Sequence, residues 1–296
     1  MTNIVIVGYG KMGREIAAAA HARNIEIRAI IDPRIDVGGA GTAHAAGTTH
    51  AVGADLPANG YKTLAEFIAS NPNPDPNTVF IDFTEPNAAR ANIQFYCENK
   101  LNCVVGTTGE WRRGGNMADI QKMVDAAGIR MVHGSNFSTQ THIVMIANRV
   151  LCAMLNDLPG YDVDVLEGHH PDKKDPSGTG TTMAESIIRS GYFGKTELLT
   201  ALNGAVAPNQ IMMATRRLSG LVGYHEINYT NDTRTGDKKN DTISLSHTDN
   251  NRAGFTNGAL DAAEFITRSG ATPGLTDYAD LVSARFMPLI KKELGL

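Results

Sequence analysis

The chain is short of cysteine, tryptophan and basic charge. Its 296 residues hold three cysteines and one tryptophan, and 27 lysines and arginines stand against 31 acidic residues, a formal charge of −4. Nucleic-acid phosphates and anionic lipid attract proteins with a basic excess, so neither nucleic acid nor membrane is expected as a partner. Cys97, Cys103 and Cys152 are odd in number, lie in apolar stretches and lack the paired spacing of a zinc site. They read as buried thiols in a reducing cytosol, with no metal. No apolar run approaches a membrane span, and the start MTNIVIVGYG has no basic segment leading into a long apolar one, so a cytoplasmic location is expected. Internal repeats and low-complexity segments are also missing. With 42% hydrophobic residues, the chain can bury one large core or two smaller ones.

What is present first is alternation. Asn3 to Val7 is a β-branched run ending in Gly8-Tyr9-Gly10-Lys11-Met12-Gly13, followed by the alanine-rich REIAAAAHAR of a helix and by a second strand, Ile25 to Ile31, stopped at Asp32-Pro33. Residues 38–60 lack a period and read as loop with some short structure. A helix at Thr63 to Ser70, a strand at Val79 to Phe83, a helix from about Asn87 to Asn99, a strand at Cys103 to Val105, a helix ending at Ala127 and a strand at Ile129 to Val132 continue the pattern. Strand-helix alternation predicts an α/β fold, a Rossmann-like doubly wound parallel sheet, with its ligand crevice beyond the carboxyl ends of the strands.

After Asn136-Phe137-Ser138 the pattern changes. A helix from about Thr141 to Leu155, a strand from Tyr161 to Glu167, a histidine-bearing loop and a helix from about Thr179 to Ser190 come next. Strands at Gln210 to Arg216, Tyr224 to Thr230 and Thr242 to His247 follow, the last two paired across the polar turn NDTRTGDKKN. This predicts a second α+β domain with a mixed, mainly antiparallel sheet. The expected boundaries are 1–137, 138–250 and a helical C-terminal segment, 251–296, packing back on the first domain, with hinges near Ser138 and Asn250.

The glycine hexamer Gly8 to Gly13 follows a strand and opens a helix, the context in which it binds a dinucleotide. Its first glycine serves the turn, its second the approach to pyrophosphate, and its third helix-strand packing. Asp32, at the end of the next strand, suits ribose hydroxyls and argues for NADH. Arg34 suits a 2′-phosphate and would admit NADPH, or is a solvated loop residue. Gly106, Thr107 and Thr108 end a buried strand and would line the nicotinamide side, or form a threonine-capped turn.

A second cluster lies in Glu167-Gly168-His169-His170-Pro171-Asp172-Lys173-Lys174-Asp175-Pro176-Ser177-Gly178-Thr179. Histidine delivers protons near neutral pH, lysine neutralises an anionic substrate, and the N-terminus of a helix opened by Ser177, Gly178 and Thr179 binds a carboxylate. By composition alone the same residues are a surface loop and a helix cap. The chemistry points to a small acid with a reducible double bond. Adjacent histidines beside lysines do not suit a metal.

With these motifs assembled, the chain resembles the 4-hydroxy-tetrahydrodipicolinate reductase (dihydrodipicolinate reductase) family. The resemblance rests on VGYGKMGREI, VFIDFTEP, VVGTTG, SNFS, EGHHPDKKDPSGT, the Arg217-Leu218-Ser219-Gly220 to His225 stretch and NRAGFTNGA, and spans nearly the whole chain. It implies NAD(P)H-dependent reduction of a cyclic dicarboxylated imine in diaminopimelate and lysine biosynthesis. His169 would be proton donor, Lys173 the assisting charge, and His170, Ser177, Gly178 and Thr179 substrate contacts. It also implies cofactor contacts from Gly134, Ser135, Asn136, Phe137, Arg252 and Phe255, and a homotetramer built through the second domain. A paralogous reductase of another cyclic imine or unsaturated acid, and a noncatalytic dinucleotide sensor, are the other readings.

Overall fold

In the computed structural model the described residues are 1–36, 44–45, 59–107, 116–158, 160–201, 204–231 and 241–295. They form two compact units, residues 1–138 with 253–284, and residues 139–252 with 285–296.

The first unit alternates strand and helix: β1 (Asn3–Val7), α1 (Lys11–Ala22), β2 (Glu26–Ile31), β3 (Ile35–Asp36), β4 (His44–Ala45), β5 (Gly60–Tyr61), α2 (Leu64–Ser70), β6 (Thr78–Asp82), α3 (Pro86–Glu98), β7 (Asn102–Val105), α4 (Asn116–Ala127) and β8 (Arg130–His133). After the second unit's elements the chain returns with α7 (Ala253–Thr267) and β14 (Gly274–Asp277). The sheet order is β14-β8-β7-β6-β1-β2-β5, and every pairing is parallel. Every residue of β1 and β6 is buried, as a parallel sheet covered on both faces requires. Val5, Val7, Phe80, Ile93, Tyr96 and Val124 share one core, while α1 and α7 pack on each other and on sheet strands. Arg23, the C-cap of α1, holds Asp261 and Glu264 of α7 at 2.8 and 2.9 Å.

Two expectations change here. Residues 253–296 are not helical throughout, because β14 adds a seventh strand beside β8. Its four residues carry one large apolar side chain, Leu275, too few to show a period, and pairing with β8 supplies what the side chains do not. Most of the 38–60 loop lies outside the described residues; within it β4 pairs antiparallel with β3.

The second unit contains α5 (Thr139–Asn156), β9 (Tyr161–His169), α6 (Gly178–Ser190), β10 (Glu197–Leu199), β11 (Gln210–Arg217), β12 (Gly223–Asn231) and β13 (Thr242–Asp249). Its sheet order is β10-β11-β9-β12-β13. The β12 pairings with β9 and β13 are antiparallel, whereas β11 runs parallel to β9 and β10. The sheet is therefore mixed, with more parallel pairing than the strand pattern suggested, because α6 carries the chain back between β9 and the strands that follow. Cys152, Val165, Met183, Ile211 and Ile227 form its core. The turn between β12 and β13 lies at 232–240, outside the described residues. The final helix, α8 (Tyr278–Glu293), is assigned to the first unit through Ala284 and to the second from Arg285. No helix among the described residues is long and apolar enough to cross a membrane.

Candidate functional site

At the carboxyl ends of β1, β2, β7 and β8 the first unit gathers most of the expected cofactor residues. Gly8 has φ +88° and lies so close to the backbone of Phe83 that a Cβ would stand 2.9 Å from its carbonyl oxygen. A Cβ on Gly13 would stand 2.2 Å from Gly8 O. Both glycines are thus required by the turn itself. Gly10 is different: a Cβ there would meet no atom of the described residues within 4 Å, so its bareness answers to no packing among them. It is also the N-cap of α1 and makes no side-chain cap, and Lys11 and Arg14 are basic residues of the first turn. A bare, positively biased helix start is what a pyrophosphate fits.

Asp32 directly follows β2, with its carboxylate buried. It accepts from Tyr9 N at 2.7 Å, Arg34 N at 2.9 Å, and Arg34 Nε and Nη2, both at 3.0 Å. Burial would raise its pKa, but the Arg34 side chain and the two backbone N–H groups outweigh that and hold it below the usual carboxylate range. Arg34 is exposed and clamps Asp32, so a 2′-phosphate would have to draw its guanidinium away from that carboxylate. Gly106 has a packing reason as well, since a Cβ would strike the Phe83 ring at 2.1 Å. Thr107 Oγ1 donates to Thr84 O at 2.6 Å. Thr108 lies outside the described residues.

Beyond β8, Gly134 and Asn136 are buried and Ser135 is exposed, while the Phe137 ring, 2% exposed, packs against Phe83 and Tyr278. Any cofactor contact by Phe137 is left to its backbone. Met12 is half-buried, as is Phe255 in the first turn of α7. Arg252, also half-buried, belongs to the second unit. Sequence reasoning gave no role to Asp82. Fully buried at the end of β6, it accepts from Thr84 N, Thr84 Oγ1, Asn92 Nδ2 and Tyr96 OH at 2.7 to 2.9 Å and fixes the neighbouring loop.

In the second unit β9 runs through His169, so this histidine ends a strand rather than opening a loop. Strand alternation then puts Glu167 and His169 on one face. The parallel register sets Thr215 beside Glu167 and Arg217 beside His169, and the antiparallel register sets His225 beside Glu167. Glu167 is fully buried: Oε2 lies 2.6 Å from His169 Nδ1, and Oε1 accepts from Thr215 Oγ1 at 3.0 Å and Arg217 Nη1 at 2.9 Å. Burial pushes Glu167 upward in pKa, but hydrogen bonds from Arg217, His169 and Thr215 pull it below the usual range. Burial lowers His169, Glu167 partly opposes that, and Lys173 and Arg217 lower it further.

Ser177 is the N-cap of α6, its Oγ accepting from Gly180 N at 3.2 Å and lying 2.8 Å from His225 Nε2. The His225 ring is edge-on to His169 at 5.4 Å. His169 and Ser177, eight positions apart, thus meet through a residue on another strand. Burial, with the neighbouring charge of His169, lowers His225 to about 4. Its Nδ1 is buried without a hydrogen-bond partner among the described residues. A proton on Nε2 leaves Nδ1 only a missing donor, the smaller deficit, and makes His225 the donor to Ser177. The Ser177 hydroxyl then keeps its own proton to give. Gly178 and Thr179 form the first turn of α6; Lys173 and His170 are half-buried, with His170 Nδ1 3.8 Å from Asp172. Thr215 was missed, and Glu167, Arg217 and His225 had been seen without a role. Only Glu167, two positions before His169, carried a sequence signal, through strand alternation.

A family profile described as dihydrodipicolinate reductase, N-terminus, matches residues 2–137, and one described as dihydrodipicolinate reductase, C-terminus, matches residues 141–282. A 4-hydroxy-tetrahydrodipicolinate reductase of Alkaliphilus oremlandii is 33% identical, the match covering 69% of this chain and 80% of the relative. That of Chromobacterium violaceum is 31% identical over 96% of this chain and 99% of the relative. The fold is shared with a dipicolinate-bound dihydrodipicolinate reductase from Paenisporosarcina sp. TG-14, with a TM-score of 0.66, 22% identity, and coverage of 94% of this chain and 97% of that one. The chain belongs to the dihydrodipicolinate reductase family.

Proposed function

We propose that the chain catalyses the NAD(P)H-dependent reduction of 4-hydroxy-tetrahydrodipicolinate to tetrahydrodipicolinate, in the diaminopimelate route to lysine. The meeting of His169, Ser177 and the α6 N-terminus around His225 carries the reading. It supports a proton donor lying beside donors for a carboxylate. Ser177, Gly178 and Thr179 hold one carboxylate at the positive end of the helix, and Lys173 and His170 meet the acid's remaining charge. A dicarboxylate beside His169 favours the imidazolium, countering the burial that lowers it. His169 then releases its proton to the ring as negative charge develops there. The dinucleotide is held by Gly8 to Gly13, Asp32, Arg34, Gly106, Thr107, Thr108, Gly134 to Phe137, Arg252 and Phe255. When bound, its nicotinamide supplies the hydride. Assembly as a cytoplasmic homotetramer through the second unit belongs to the same proposal. It is supported by edge strand β13, whose Ile243 is exposed, and is read by light scattering.

The test couples the chain to the enzyme that condenses pyruvate with aspartate semialdehyde, and follows oxidation of NADH and of NADPH. Substrate-dependent oxidation, lost in His169→Gln and Lys173→Ala while cofactor binding persists, is the expected result. Cofactor binding without oxidation would make the chain a sensor, and turnover only with another cyclic imine would make it a paralogue.

A further inference from the structure

We infer that Glu167 and Arg217 are positioning residues for this reaction. Glu167 fixes which nitrogen of His169 carries the transferable proton, and Arg217 fixes both Glu167 and the loop bearing Lys173. The inference rests on the proposed reduction and adds residues to which that reading gave no part.

Three strands supply the argument. Glu167 and His169 share a face of β9, Thr215 and Arg217 stand beside them on β11, and His225 stands opposite Glu167 on β12. The Glu167 carboxylate is an acceptor only, so a neutral His169 carries its hydrogen on Nδ1, at 2.6 Å. The second proton enters and leaves at Nε2, and loss of it returns the ring to the same Nδ1–H form. A buried carboxylate must itself be compensated, and Thr215 Oγ1 and Arg217 Nη1 do this at its other oxygen. Arg217 then goes further: Nε donates to Lys173 O at 2.7 Å and Nη2 to Asp175 O at 3.0 Å. One planar guanidinium thus ties the proton donor's partner to the backbone of the lysine loop, a span that an ammonium cannot reproduce.

Glu167→Gln tests the first half. With its amide oxygen toward Thr215 and Arg217, its NH₂ faces Nδ1 and forces the neutral ring to the Nε2–H form. The expected results are a fall in kcat of about a hundredfold or more with KM within a few-fold, and a shift of the His169-dependent limb of the pH profile to lower pH by about one unit. Lys173 on the loop, Arg217 on β11, His225 on β12 and Asp249 on β13 also face His169 and are unchanged in the variant. Ring-nitrogen NMR of the resting protein reads the tautomer without turnover. For the second half, Arg217→Lys should keep the pH limb and raise KM about tenfold or more, whereas Arg217→Met should disturb both; this pair also serves if Glu167→Gln does not fold. An unchanged tautomer, or kcat and pH profile like wild type in Glu167→Gln, overturns the inference. A wild-type chain with no turnover, but with the Nδ1–H tautomer in place, overturns the reading beneath it instead.

Discussion

Lowering the pH from 8 to 5 sets His225 against its surroundings. In the unfolded chain its imidazole takes up a proton near 6.5; in the fold, where it is 2% exposed, the proton is refused down to about 4. The unfolded state therefore binds the proton first. The stability contributed by the neutral ring is fully present above pH 6.5 and is lost as the pH falls toward 4. At 1.36 kcal/mol for each unit of difference, the loss is about 2 kcal/mol at pH 5 and approaches about 3 kcal/mol below pH 4. Against a total of about 5–15 kcal/mol for a folded domain, this is readily measured. The assay is urea unfolding at pH 8, 6.5 and 5, in wild type and in His225→Gln, whose amide still reaches Ser177 Oγ but does not titrate. Asp249, raised by burial, works in the opposite sense, and His169 in the same sense, in both proteins. The difference between the two curves isolates His225. At pH 8 the variant should be less stable, and by pH 5 the gap should close by about 2 kcal/mol. A gap independent of pH would refute the reasoning.

Ser177→Ala removes the N-cap of α6 and should lower stability by about 1 kcal/mol; it should also raise KM for the dicarboxylate, and an unchanged KM would remove Ser177 from the substrate site. Gly13→Ala places a Cβ 2.2 Å from Gly8 O and should lower stability by about 1–3 kcal/mol along with dinucleotide affinity. Gly10→Ala meets none of the described residues and should lower affinity at a stability change of about 1 kcal/mol or less; equal stability losses in the two variants would contradict the packing argument. Arg34→Ala frees Asp32 and should weaken NADPH about tenfold, or 1.4 kcal/mol, with NADH moved far less. Fluorescence titration with both dinucleotides decides this, and equal weakening would argue that Arg34 serves only Asp32.

The middle of the parallel sheet was legible because β1, β2 and β7 are apolar, β-branched runs stopped by glycine or proline, with helical segments between the strands. Where those local signals thin out, reading failed. β10 has three residues, and β14 four with a single leucine, and both exist through pairing with a neighbouring strand. The end of β9 was placed two residues early, since Gly168 and the histidines look like loop. Ladder pairing with β11 and β12 carries the strand through Gly168, where a Cβ would come within 2.8 Å of Leu221. That short error hid Glu167, whose relation to His169 follows only when both stand on a strand.

The unread half of the site shares one cause. Residues 167 and 169 meet 215, 217 and 225 through register, and register depends on how whole strands align rather than on spacing within any motif. Arg217→Met leaves Glu167 a buried charge with its cation gone, at a cost of about 3–5 kcal/mol. The pair that orients the proton donor therefore also contributes to the stability of the sheet. Stability and catalysis are coupled at Arg217, which is why its test must separate the pH limb and KM from folding.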